Sequence, residues 1–272
     1  MSRLWLKNPL AILADNAGGG MVIDGSEIVE LIPSGKMPSA PCTEFDASSH
    51  VILPGLINTH HHFYQTLTRA LQPALGKELF DWLKALYPVW SGLDPEGLAV
   101  ATELALTELL LSGCTTTSDH HYLYPKGLED AVDIQVGVAT QIGMRVTLTR
   151  GSMDLSQKDG GLPPDSVIQD TDEILADSER VASRFHQSGP GAMVQIALAP
   201  CSPFSVTQNL MRQTAELAAK LGVRLHTHLG ETQDENDFCL ETLGMRPLDY
   251  LEDCGWLGSN TWLAHGIHFN ND

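Results

Sequence analysis

Three apolar, strand-like runs in this chain end in histidines, and any fold it adopts has to account for those ends. The first run covers 51–53 and Leu56-Ile57, then breaks into Asn58-Thr59-His60-His61-His62. The second is Leu225-His226-Thr227-His228-Leu229-Gly230-Glu231, and the third is Ala264-His265-Gly266-Ile267-His268. Strand side chains alternate between faces, so His60 and His62 point one way and His61 the other. By the same parity His226 and His228 share a face. Neutral imidazole nitrogens at about 2 Å suit zinc and its neighbours, so paired histidines at a strand end are candidate metal ligands. A patch of surface histidines explains any one motif, but three motifs at separate strand ends can be collected into one site.

Between these motifs, strand-like and helical stretches alternate. Apolar residues at helical spacing over 98–111 follow Asp94-Pro95-Glu96 and stop at Gly113, as helix start and stop signals require. A strand at 114–121, a helix at 127–143 and a strand at 144–150 follow. After a Gly/Pro/Asp-rich loop at 151–170 come a helix to 186, a strand at 194–200, a helix at 207–221, and strands at 223–228 and 261–269. Repeated β/α units with functional residues at strand C-termini give an α/β fold, a TIM-like (β/α)8 barrel of which six units are present. An open doubly wound sheet is the alternative, and it gives no reason for histidines at three separate strand ends. A closed barrel needs eight strands, so the chain is expected to be the N-terminal part of a longer protein. Residues 1–52 read differently: short strands, with Asp24-Gly25 as a hairpin turn, form a small β-domain ahead of a barrel at 53–272.

With 16 basic against 34 acidic residues the formal charge is -18, which argues against nucleic acid or an anionic membrane as partner. The five cysteines are scattered, an odd number that makes no disulfide framework and fits a reducing compartment. The N-terminal apolar runs are split by Lys7-Asn8-Pro9, and no stretch reaches the roughly 20 apolar residues of a membrane helix. A cytoplasmic location is expected. A cytidine-deaminase zinc signature, a metalloprotease His-Glu-x-x-His, a Walker loop and a dinucleotide fingerprint are all missing.

Pro54-Gly55-Leu56-Ile57-Asn58-Thr59-His60-x-His62 resembles the first-strand motif of the amidohydrolase superfamily, in its mononuclear-metal aminohydrolase branch. His228-x-x-Glu231 is similar to that branch's fifth-strand motif, and Ala264-His265 to its sixth-strand histidine. Within the branch, residues 58–69, Ser118-Asp119-His120-His121-Tyr122, residues 148–153 and Ala199-Pro200-Cys201-Ser202-Pro203-Phe204-Ser205 resemble bacterial 8-oxoguanine deaminases. The resemblance implies a small N-terminal β-sandwich beside the barrel and one divalent metal ion, zinc or iron, on His60, His62 and His228. It also implies a homo-oligomer, with a small heterocycle and water as reactants. The family's last metal ligand, an aspartate at the end of the eighth strand, has no counterpart in this sequence. The chain by itself is therefore expected to be metal-poor and inactive.

Hydrolytic deamination needs hydroxide near neutral pH, which a metal provides by lowering the pKa of its water. It also needs a group that moves protons to the ring nitrogen and to the departing amine. Glu231, three residues past His228, is the candidate shuttle, and His265 is expected to orient water and substrate. His226 is assigned a supporting role beside the ligands. By resemblance, Gln65 reads the substrate's amide edge, and Arg150 complements a ring oxygen with its fork of donors. Tyr122, His120, His121 and Cys201-Ser202 could line the pocket, and a helix containing Trp82 and Trp90 could cover it or simply be core. The expected reaction is conversion of 8-oxoguanine to urate and ammonia. Hydroxytriazine, chlorotriazine or guanine hydrolysis keeps the same machinery, and a non-catalytic truncated barrel is the reading from another class.

Overall fold

The computed structural model describes residues 3–270. The chain forms two compact units that meet at Leu56/Ile57, a few residues beyond the boundary expected at 52/53.

The N-terminal unit contains β1 (Leu4–Lys7), β2 (Ala11–Ile12), β3 (Gly20–Asp24), β4 (Glu27–Ile32), β5 (Thr43–Asp46) and β6 (Val51–Ile52). Four of them form a sheet in the order β4-β3-β1-β5, while β2 and β6 make a short parallel ladder. The Asp24-Gly25 hairpin is present, with Asp24 opposite Glu27 and Gly25 at φ 60°, where a residue without Cβ is favoured. Trp5, Val22 and Ile32 form its buried centre.

The second unit contains β7 (Leu56–Asn58), α1 (Leu79–Trp90), α2 (Pro95–Leu111), β8 (Cys114–Asp119), α3 (Ala131–Ile142) and β9 (Arg145–Ser152). It continues with α4 (Thr171–Phe185), β10 (Val194–Pro200), α5 (Gln208–Leu221), β11 (Arg224–Leu229), α6 (Gln233–Phe238), α7 (Pro247–Asp253) and β12 (Thr261–His265). Local signals set the helix ends. Asp94 caps α2 by accepting from Gly97 N at 2.7 Å, and Asp170 and Thr207 cap α4 and α5. The long loop expected at 151–170 carries two short 3-10 turns, and strand β9 runs on to Ser152.

The six strands lie in strict sequence order, β7 to β12, with parallel pairing from β8 onward. A doubly wound sheet reverses its order at a switch point, and this one does not. In a flat sheet β7 and β12 would stand about 24 Å apart, five spacings of about 4.8 Å. Instead Trp262 Nε1 on β12 donates to Thr59 O, just beyond β7, at 3.0 Å. The sheet therefore curls as a barrel wall does. Its convex face packs on the helices: Val146 and Leu148 of β9 and Ile196 and Leu198 of β10 share one core with Val132, Ile174, Val181 and Leu210. The alternating residues, Thr149, Ala197 and Ala199 among them, face the concave side. No helix among the described residues is long and apolar enough to cross a membrane.

This layering sets a stability contrast. Leu198 is fully buried between sheet and helices, whereas Leu111 is 85% exposed. Leu198→Ala is expected to cost about 2–5 kcal/mol and Leu111→Ala less than about 0.5 kcal/mol, read from urea unfolding midpoints.

Candidate metal centre

The turn after β7 and the C-terminal ends of β11 and β12 bring the three histidine motifs together on the concave side. Ring centroids of His60 and His62 lie 4.7 Å apart, those of His60 and His228 4.9 Å, and those of His62 and His228 5.1 Å. Strand parity explains the β11 contribution. Leu225 and Leu229 join the helix-facing core, so His226 and His228 must face the other way. His61 is turned from the cluster, with its ring 5.3 Å from that of Phe63.

The hydrogen bonds of these rings decide what each offers. His62 Nδ1 faces His120 O at 2.7 Å, and His228 Nδ1 faces Cys201 O at 2.7 Å. A carbonyl only accepts, so each Nδ1 carries the proton and each Nε2 is left with a lone pair. His226 Nδ1 likewise donates to Trp262 O at 2.8 Å, so its Nε2 accepts. His60 Nδ1 sits 2.9 Å from that Nε2 and is therefore the donor, which leaves His60 Nε2 free.

His62 Nε2 and His228 Nε2 lie 3.1 Å apart with a lone pair on each, so no hydrogen bond joins two neutral rings there. The distance matches two nitrogens on one ion, because tetrahedral ligands at about 2.0 Å stand about 3.3 Å from each other. Burial, reinforced for His60 by the neighbouring imidazoles, pushes His60 down to about 2 and His62 to about 3, and holds His228 well below the usual range. The rings are thus neutral and ready to ligate. His60, His62 and His228 form a group whose donor atoms all lie within 4.8 Å of one another. The same holds for His60, His120 and His226. His120 Nε2 contacts Ala199 O at 3.0 Å, and its buried Nδ1 lacks a partner.

A cavity of about 260 Å³ contains His60, His62, His228, Glu231, His265 and Gln65. Leu79, Trp82, Tyr122, Cys201 and Phe204 supply its other walls, which suit a small planar ring. Glu231 and His265 face each other, with Oε1 3.5 Å from Nε2. Burial and the nearby Glu235 carboxylate push Glu231 up to about 7, and burial lowers His265, so the contact is not an ion pair at neutral pH. His265 has φ 77°, a backbone conformation uncommon for a residue with a Cβ. Gln65 lies in the 3-10 turn after His62, its Nε2 3.3 Å from Tyr64 OH.

Arg150 is not brought to this cavity, which corrects its assignment as a pocket residue. It shares parity with Val146 and Leu148, so it points into the helix layer. There its Nε donates to Asp177 at 2.6 Å and its Nη2 to Gln169 at 2.9 Å, while Nη1 reaches Gly151 O. The guanidinium lies 3.8 Å from the Tyr124 ring centroid and is 1% exposed. His121 also turns outward, against Tyr64 and Tyr124, and Ser202 bonds to Ser205. Trp90 is buried core, while Trp82 reaches the cavity wall.

Several supports were not singled out from the sequence. Asp119 accepts from Phe63 N at 2.6 Å and from Gln135 at 2.5 Å, which ties the His62 turn to β8 and α3. Glu235 accepts from Gly230 N and Glu231 N at 2.8 and 2.9 Å. The carbonyls of His120, Cys201 and Trp262 orient the rings of His62, His228 and His226, a role that residue type does not encode.

These contacts predict separable effects on metal binding. Zinc competition against a chromophoric chelator is expected to show about 10–100-fold weaker binding in His226→Ala, which loses the acceptor for His60. Arg150→Met should bind zinc as before and lose about 1–3 kcal/mol of stability, since Asp177 and Gln169 lose a charge-assisted donor while Asp177 keeps Arg180. In the metal-free chain, carboxyl 13C shifts should show Glu231 titrating near pH 7. Added zinc should move that midpoint down, because a nearby cation favours the carboxylate.

The chain has solved neighbours with the same backbone course. It superposes on an atrazine chlorohydrolase from Arthrobacter aurescens TC1, crystallised with zinc, at TM-score 0.87 and 29% identity. That match covers 97% of this chain and 60% of the other. Among curated proteins, the 8-oxoguanine deaminase of Pseudomonas aeruginosa PAO1 is 63% identical, over 99% of this chain and 61% of its own length. The hydroxydechloroatrazine ethylaminohydrolase of Pseudomonas sp. strain ADP is 41% identical, over 79% of this chain and 45% of its own. This chain thus spans about three fifths of the first of these relatives. The amidohydrolase family model matches residues 51–272. On that match, which includes every residue of the histidine cluster, the chain belongs to the amidohydrolase family.

Proposed function

We propose that this chain carries the metal-binding half of a hydrolytic deaminase acting on a purine-like heterocycle, with 8-oxoguanine as substrate and urate and ammonia as products. The observation that carries this reading is the convergence of three Nε2 lone pairs, a raised carboxyl and a histidine in one small cavity. The 63% identity to an 8-oxoguanine deaminase supports the choice of ring. His60, His62 and His228 would hold one divalent ion, with zinc favoured by the all-nitrogen donor set and by the zinc-bound structural neighbour. When bound, such an ion supplies a water nucleophile that is ionised near neutrality.

The chain's own residues would do the rest. Glu231, with a carboxyl poised near neutral pH, accepts the two protons of the attacking water in turn, passing the first to the ring nitrogen and the second, from the newly bonded hydroxyl, to the departing amine. A bond from carbon to oxygen forms, the exocyclic C–N bond breaks, and ammonia leaves. His265, facing Glu231, orients the nucleophile. Gln65 presents an amide to the substrate's amide edge, and Trp82, Phe204 and Tyr122 exclude water from the ring's faces. Arg150 takes no part. The small N-terminal sheet is assigned to the β-sandwich of the complete protein, which would work in the cytoplasm as a homo-oligomer.

A triazine substrate is the second reading, favoured by the 41% identical hydroxydechloroatrazine ethylaminohydrolase. Both readings are separated by ammonia and amine release from the zinc-loaded protein of the whole reading frame, offered 8-oxoguanine, guanine and hydroxyatrazine. The expected result is turnover of 8-oxoguanine that falls at least about a thousandfold in Glu231→Gln, as loss of a positioned proton carrier predicts. Turnover of the triazine alone keeps the machinery and removes the purine assignment. No turnover with zinc confirmed bound removes the deaminase reading.

A further inference from the structure

Glu235 is fully buried, yet it is neither a ligand nor a wall of the cavity. The stretch Thr232-Gln233-Asp234-Glu235 has the form of a helix capping box, in which the glutamate reaches back to the cap residue's own N–H. Half of that box is built: Thr232 Oγ1 accepts from Glu235 N at 3.4 Å. The other half is displaced. Glu235 passes Thr232 N and takes the two preceding amides, Gly230 N through Oε1 at 2.8 Å and Glu231 N through Oε2 at 2.9 Å. Burying a carboxylate this deeply is unfavourable, and capping one short helix does not require it. Two consecutive N–H groups do call for it, because only a carboxylate offers two acceptor oxygens in a plane.

The peptide it grips leads into Glu231 and packs on the turn that follows His265. Gly230 has φ 65°, and a Cβ there would meet the Phe269 ring at 2.7 Å, so another residue would be strained and would displace that ring. Its carbonyl accepts from Ile267 N at 2.8 Å and from His268 N at 2.9 Å, in the turn that follows His265. Gly266 N donates to Leu229 O at 2.8 Å alongside. One chain of contacts thus runs from Glu235 through Gly230 to the turn that holds His265 in its left-handed conformation.

We propose that Glu235 is a positioning residue: its carboxylate grips the Gly230 and Glu231 amides and thereby sets Glu231 and His265 face to face. The roles given to Glu231 and His265 rest on the proposed deaminase reading, whereas the grip itself is measured without turnover. It makes no contact with the metal-ligand rings, so metal binding and this turn should respond separately.

The test is residue-resolved amide exchange and NMR of the zinc-loaded protein of the whole reading frame in Glu235→Gln, Glu235→Ala and Thr232→Ala. In Glu235→Ala, exchange at Gly230 and Glu231 should rise about tenfold or more, as loss of two charge-assisted bonds predicts. Exchange over Leu225–His228 and zinc affinity should stay within about twofold. The Glu231 carboxyl and His265 ring resonances should move together, and Glu235→Gln, with one acceptor oxygen, should keep part of the protection. Thr232→Ala removes only the helix cap and should leave Gly230 and Glu231 protected. Unchanged exchange at those two amides in Glu235→Ala would overturn the proposal. So would a uniform rise across β11 with loss of zinc affinity, which would make Glu235 a general support of the fold.

Discussion

An imidazole with one nitrogen tied to a fixed acceptor can offer only the other, and this constraint organises the concave side of the sheet. His62 and His228 are tied to main-chain carbonyls at the ends of β8 and β10, and His60 is tied through His226 to a carbonyl of β12. The anchors come from strands far apart in sequence, so the ligand directions exist only once the sheet has curled. The curl goes with sequential strand order and brings the two edges close enough for the Trp262–Thr59 bond. Fold and candidate metal centre are thus one construction. The cost of burying several uncharged rings side by side is offset when their lone pairs share a cation.

The same economy governs Glu231 and His265, the pair proposed to handle protons and water. A carboxyl that is to exchange protons near neutral pH must have its charged form disfavoured, and burial does this at Glu231, helped by repulsion from Glu235. Burial alone would leave it free to turn. The buried grip on its amide and on Gly230 fixes where it stands. Strain is visible at His265, whose left-handed backbone is held by the turn packed on Gly230.

Much of this was legible from residue pattern because strand parity has a period of two. Parity put His60 with His62, His226 with His228, and His61 apart, and Asp94-Pro95-Glu96 and Gly113 marked the two ends of α2. Arg150 shows where the reading stopped short. With β9 expected to end at Arg150, the residue looked like a rim position, but the strand runs on to Ser152 and parity sends the side chain among the helices. Glu235 was hidden by a different ambiguity: Thr-x-x-Glu has a complete local explanation as a cap, and only the fold reveals which amides the carboxylate takes. The carbonyls that orient the ligands carry no signal in residue type at all.

The tautomers of the histidine rings test the central claim most directly. Long-range 1H–15N spectra of the metal-free chain should show His60, His62 and His228 protonated on Nδ1 with pyridine-like Nε2. Zinc should then shift those three Nε2 resonances and leave the His61 resonances in place. Protonation on Nε2 in His62 or His228, or zinc shifts confined to other histidines, would contradict the account.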